Sequence, residues 1–158
     1  MIEVPFEKHA KLLSGAWKCI SWEMVDSEND KSVLSKPHGD SPLGRVVISQ
    51  SGYLCASLVP PMLMSPLPHD ESELASDEEV LRLGRGLATY AGPITLFERE
   101  DGGFLWHTTV EIAHKPDWIG KPQVRRMDHN VEGGVDYMTL RPDERYILKV
   151  CLNSALLP

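Results

Sequence analysis

The sequence predicts a mainly β domain: an eight-stranded antiparallel up-and-down barrel, with a short N-terminal helix and one helix near residues 76–90. Three observations predict it. About eight β-rich runs follow one another, separated by Gly, Pro and Asp turn signals, with connections too short for parallel crossovers. Two of these runs, residues 44–49 and 53–59, flank the three-residue turn Gln50-Ser51-Gly52 and read as a hairpin. Eight is also the strand number that closes a small barrel able to hold one ligand.

Each element has its own signal. Phe6, Ala10 and Leu13 recur at helical spacing and Ser14-Gly15 ends the run. Residues 17–24 alternate as a strand, and the polar stretch 25–43 reads as a loop. Residues 60–70 carry four prolines, which forbid helix and central strand, yet Met62, Leu63, Met64 and Leu67 are apolar. A lid over a binding site and a loop packed outside the barrel both fit that composition. Ser76-Asp77-Glu78-Glu79 is a capping box, and Val80, Leu83, Leu87 and Tyr90 mark an apolar helix face ended by Gly92-Pro93. Five further strands are expected at 94–98, 104–113, 123–129, 135–140 and 145–152.

The bulk properties bound the function. A length of 158 residues fits one domain spanning the chain. Sixteen Lys and Arg against 23 Asp and Glu give a net charge of −7, which argues against nucleic acid and anionic membranes as partners. No apolar run approaches a membrane span, and the N-terminus does not read as a secretory signal. Three widely spaced cysteines suit free, buried thiols in the cytoplasm better than a disulfide framework. The six histidines show no metal-ligand spacing, and the glycines form no phosphate cradle, so neither metal nor cofactor is expected.

Several motifs then occur in a family order. They are Leu13-Ser14-Gly15-Ala16-Trp17, Pro42-Leu43-Gly44, Ser49-Gln50-Ser51-Gly52-Tyr53, Tyr90-Ala91-Gly92, His107-Thr108-Thr109-Val110-Glu111, Pro116-Asp117-Trp118-Ile119-Gly120 and Gln123-Val124-Arg125. Over about residues 12–141 the chain resembles the lipocalin-like domain family of fungi and bacteria, whose members often sit among secondary-metabolite enzymes. The resemblance implies an eight-stranded barrel around a central pocket, and Tyr90-Ala91-Gly92 at a helix end. It does not fix a reaction, because one fold hosts many functions. The chain departs from the family pattern in segment 60–70 and in having Ser51 where an acidic turn residue is common.

Candidate site residues follow. Trp17 is expected to plug one barrel end with a late-strand arginine across it. Arg125 and Arg126 are adjacent on a strand and point to opposite faces, and the family match places Arg125 inside. His107 and Glu111 share a strand face roughly 13 Å apart at about 3.3 Å per residue, too far to touch. The opposite face carries Phe104, Trp106, Thr108, Val110 and Ile112. If that stripe faces inward, His107 and Glu111 are solvated; the family match favours the reverse, and the sequence leaves both open. With His107 inside, His107, Glu111 and Arg125 form the candidate catalytic set, His107 moving protons and Arg125 holding an oxyanion. Trp17, Tyr53, Met62, Met64, Tyr90 and Trp118 form the candidate substrate-binding set. The function expected is a cofactor-independent cyclase, isomerase or dehydratase acting on a hydrophobic polyketide- or terpenoid-like intermediate. A carrier for a small hydrophobic molecule is the alternative, and a homodimer is compatible with either.

Overall fold

The computed structural model describes residues 1–25, 32–68, 75–142 and, as backbone, 147–154. The expectations for loop residues 26–31, for His69-Asp70, for the turn residue Asp143 and for strand residues 145–146 lie outside the described residues. So do the side chain of Cys151 and the chain end.

The described residues form eleven strands: β1 (Ile2–Val4), β2 (Gly15–Val25), β3 (Val33–Ser35), β4 (Leu43–Ile48), β5 (Tyr53–Val59), β6 (Ala88–Glu98), β7 (Phe104–Thr109), β8 (Ile112–Ala113), β9 (Pro122–Glu132), β10 (Val135–Pro142) and β11 (Ile147–Ser154). Two α-helices join them, α1 (Ala10–Leu13) and α2 (Asp77–Gly86). The fold is thus mainly β, as the turn signals and period-2 runs predict. All pairings are antiparallel and run in the order β1-β6-β5-β4-β2-β11-β10-β9-β7. Strand β7 pairs with β6 as well as with β9.

Inward residues of these strands form one buried cluster with the N-terminal segment. Phe6, Ala10 and Leu13 pack there with Trp17, Ile48, Leu54, Leu96, Trp106, Met127 and Met138. Trp17 is 3% exposed, and its indole N–H donates to the Leu13 carbonyl at 2.9 Å. That bond ties the short leading helix to β2 and seals this end of the interior. Phe6 lies directly over Gly52, which turns the 4–5 hairpin with φ of 80°; a side chain there would meet both backbone strain and the Phe6 ring.

Three expectations are corrected. The helix expected to reach Tyr90 stops at Gly86, and Tyr90-Ala91-Gly92 lies within β6 rather than at a helix end. Gly84 and Gly86 weaken the last helical turn, while pairing with β5 (Ala56↔Tyr90, Leu54↔Gly92) gives the following residues an extended partner. The leading helix is a 3-10 turn, Phe6–Lys8, and only four α-helical residues. Cys19 is buried as expected, but Cys55 is exposed on the outer face of β5. The capping box at Ser76 is present with both reciprocal bonds.

Glycine at position 92 is required by contact: a Cβ there would run into the Thr109 carbonyl across the strand pair. Gly84, in contrast, has open space around its missing Cβ. Gly92→Ala is therefore expected to lower unfolding free energy by about 1–3 kcal/mol through overpacking. Gly84→Ala is expected to raise it by about 0.5–1 kcal/mol through helix propensity. Denaturant melts of the two variants read opposite signs if the strand crossing is as described.

Candidate functional site

At the end of the interior away from Trp17, the side chains do not meet. They leave a cavity of about 640 Å³, within the range that encloses a small organic ligand. It narrows to an inner recess of about 70 Å³ walled by Trp22, Val46, Ala56, Leu58, Ala88, Tyr90, Trp118, Arg125 and Leu140. Trp22, Ala88, Trp118 and Arg125 line both parts, so the two are continuous.

A local irregularity supplies Trp22. Along β2, Cys19 faces Leu152 of β11 and Ser21 faces Cys151, so Ile20 is an extra residue against its partner strand. Such a bulge shifts the alternation by one. Trp17 and Trp22, an odd number of positions apart, consequently both serve the interior.

His38 comes from the stretch read as a polar loop. There β3 pairs with β2, and the turn Lys36–Gly39, closed by the Gly39 amide on the Lys36 carbonyl at 2.9 Å, tucks His38 inward. Its ring packs on Trp22, with centroids 3.9 Å apart, and it is only 5% exposed. Burial lowers its pKa, since desolvation disfavours the imidazolium. The His38 Nδ1 and the Trp22 Nε1 are buried without a hydrogen-bond partner. Buried polar atoms are ordinarily paired; Trp106 Nε1 and Thr108 Oγ1 in the packed interior are orphaned too, whereas His38 and Trp22 line the cavity, where a guest can reach them.

Arg125 enters from β9. It faces Trp106 across the β7–β9 pair, and Trp106 is fully buried, which fixes Arg125 to the inner face and Arg126 to the outer one. Its guanidinium donates to the Val124 carbonyl at 2.8 Å and to Gln123 Oε1 at 3.3 Å. Trp118 stands edge-on to Tyr90 at 5.9 Å and to His114 at 5.2 Å, and Lys115 lies over its face at 5.1 Å. His114 Nδ1 lies 3.0 Å from both the amide nitrogen and the carbonyl oxygen of Thr89, accepting from the first or donating to the second according to its tautomer. Pro60, Met62 and Leu63 line the rim, where Pro60 and Leu63 pack directly against Gly86 at the end of α2. The start of the Pro-rich segment therefore lines the cavity, whereas Met64 and Leu67 face a second apolar groove under α2.

Of the residues singled out from the sequence, the structure brings Arg125, Tyr90, Trp118 and Met62 to this cavity. Trp17 belongs to the sealed end and Met64 to the groove. His107 and Glu111 are corrected away from the site. Trp106 and Thr108 are fully buried on the inner face of β7, so His107 between them points outward and packs on Phe97 at 4.7 Å. Glu111 is exposed and accepts a 2.8 Å hydrogen bond from the Tyr53 hydroxyl, which places Tyr53 outside as well. That bond raises the Tyr53 pKa by holding its proton on a carboxylate. Trp106, Thr108 and Val110 of the stripe thus face inward, as expected of a strand with one buried face, while Ile112, on β8, is exposed. Trp22, His38 and His114 were missed: the first needs the bulge, and the other two lie in segments that read as turns. Among the described residues no three His, Cys, Asp or Glu side chains gather as a metal site, and no helix is long and apolar enough to cross a membrane.

Residues 14–149 match the model of the lipocalin-like domain, and the chain belongs to that family. No curated protein is similar enough to this chain to count as a match.

The depressed His38 pKa has a consequence for stability. The unfolded chain protonates this ring near its ordinary value of about 6.5, whereas the folded chain holds it neutral to lower pH. The unfolded state therefore binds more protons, and stability falls as pH drops below about 6.5. In His38→Gln the loss of stability below about pH 6.5 is expected to be shallower than in the wild type. Denaturant melts across that range check it.

Proposed function

We propose that this chain encloses one small, largely apolar molecule in the 640 Å³ cavity and rearranges it without a cofactor, by cyclisation, isomerisation or dehydration of a polyketide- or terpenoid-like intermediate. The proposed container is an eight-stranded barrel of β2, β4, β5, β6, β7, β9, β10 and β11, a reading supported by the pairing of β7 with both β6 and β9. The observation that carries the proposal is the meeting of a few polar groups, Arg125 and His38 foremost, with walls that are otherwise aromatic and aliphatic.

The chemistry follows from those groups. A molecule folded against Trp22, Tyr90 and Trp118 is held near its reacting geometry, which removes much of the entropic part of the barrier. Neutral His38, kept so by burial, takes a proton from a carbon beside a carbonyl. The charge moves to the carbonyl oxygen, where the Arg125 guanidinium receives it. The imidazolium then returns the proton to another carbon of the same delocalised system, or to a departing hydroxyl, which leaves as water.

Transport without turnover is the second reading. It is favoured by the hydrocarbon that Val46, Ala56, Leu58 and Leu140 present to the recess beside Tyr90 and Arg125. Mass spectrometry after incubation with polyketone and terpenoid ketone panels separates the two. The enzymatic reading expects product with the wild type, roughly 100-fold slower turnover in His38→Gln, and retained ligand in that variant. Retention with no product in the wild type leaves the carrier.

A further inference from the structure

The charge around the cavity runs opposite to that of the chain. The whole sequence carries 23 acidic against 16 basic residues. The described residues that line the cavity nevertheless include Arg85, Lys115 and Arg125 and no Asp or Glu. Among the described residues, none of these three cations lies within ion-pair distance of a carboxylate.

Arg125 is the telling one. Arg99 pairs with Asp101 and Asp128, and Arg141 with Asp128, while Arg45 and Arg126, which have no such partner, are exposed to solvent. Arg125 alone faces the inner recess as a charge, and what it touches there is neutral: a backbone carbonyl and the Gln123 amide oxygen. Two of the five guanidinium N–H groups are thereby engaged, which leaves about three to offer. Burying a cation without a counter-charge costs free energy. The neighbouring orphan at Trp22 Nε1 is a donor too. Donors and positive charge together ask for an anionic oxygen.

We infer that the cavity's ligand is an apolar molecule carrying one carboxylate, seated on Arg125 and the Trp22 indole N–H. The inference rests on the small-molecule binding proposed above, not on the enolate role given there to Arg125, and narrows the ligand's chemistry. The hydrocarbon body fills the space against Tyr90, Trp118 and Leu63. Arg85 and Lys115, nearer solvent, draw the anion toward the mouth of a protein whose overall field would otherwise repel it.

Two matched pairs of probes test this by calorimetric titration of the full chain: decanoate with 1-decanol, and 2-naphthoate with methyl 2-naphthoate. The carboxylate of at least one pair is expected to bind about tenfold or more tighter than its neutral partner, as for a charge-assisted bond. In Arg125→Met that preference should fall to about one while the neutral probe keeps its affinity; Arg125→Lys should keep part of it. Arg85→Gln with Lys115→Gln should flatten the salt dependence and leave the preference. Equal affinity for charged and neutral probes, or an undiminished preference in folded Arg125→Met, overturns the carboxylate assignment and leaves small-molecule binding standing. Failure of all four probes at millimolar concentration overturns both.

Discussion

One extra residue in one strand decides what this interior contains. In a regular strand, positions 17 and 22 face opposite sides. The bulge at Ile20 in β2 removes that opposition, so the same strand sends Trp17 into the packed end and Trp22 into the open one. The rest of the site follows from the second placement. Trp22 gives His38 a surface to stack on, and that stack draws the 36–39 turn inward and forms one side of the cavity. Without the phase change the indole would stand outside and the turn would have no apolar partner.

Legibility in the sequence tracks how local the deciding physics is. The capping box at Ser76, the hairpin around Gln50-Ser51-Gly52 and the β-rich runs are read correctly, because each rests on contacts a few residues apart. The end of α2 is misread, because Leu87 and Tyr90 continue a helical spacing while the β5 backbone, distant in sequence, pairs with the chain from Ala88 onward. The facing of β7 needed one fact the sequence lacks, namely which side Trp106 lies on. Arg125 was placed by resemblance and is held by that same strand pair. His38 left no trace, since a histidine in a stretch of Pro, Ser, Asp and Gly looks like any solvated loop residue. Its role arises only from tertiary packing.

The two ends of the interior divide structural and chemical duties. At the sealed end, large apolar groups interlock with Phe6, Ala10 and Leu13 from the N-terminal segment. At the other end, small residues (Ala56, Ala88) and flat aromatic ones leave the space unfilled. The polar atoms there are costly to keep buried, and their unmet hydrogen bonds store an affinity that a suitable guest can release. A solid centre would be more stable and would hold nothing.

The entrance is set by a contact of a different kind. Gly86, the last residue of α2, has no room for a Cβ, because Pro60 and Leu63 press on it from the rim segment. Helix and rim are therefore gauged against each other by a missing methyl group rather than by any bond. A single carbon added at that joint would prop the two apart, so the width of the doorway, and with it the girth of the guests admitted, is a property the chain can adjust one small residue at a time.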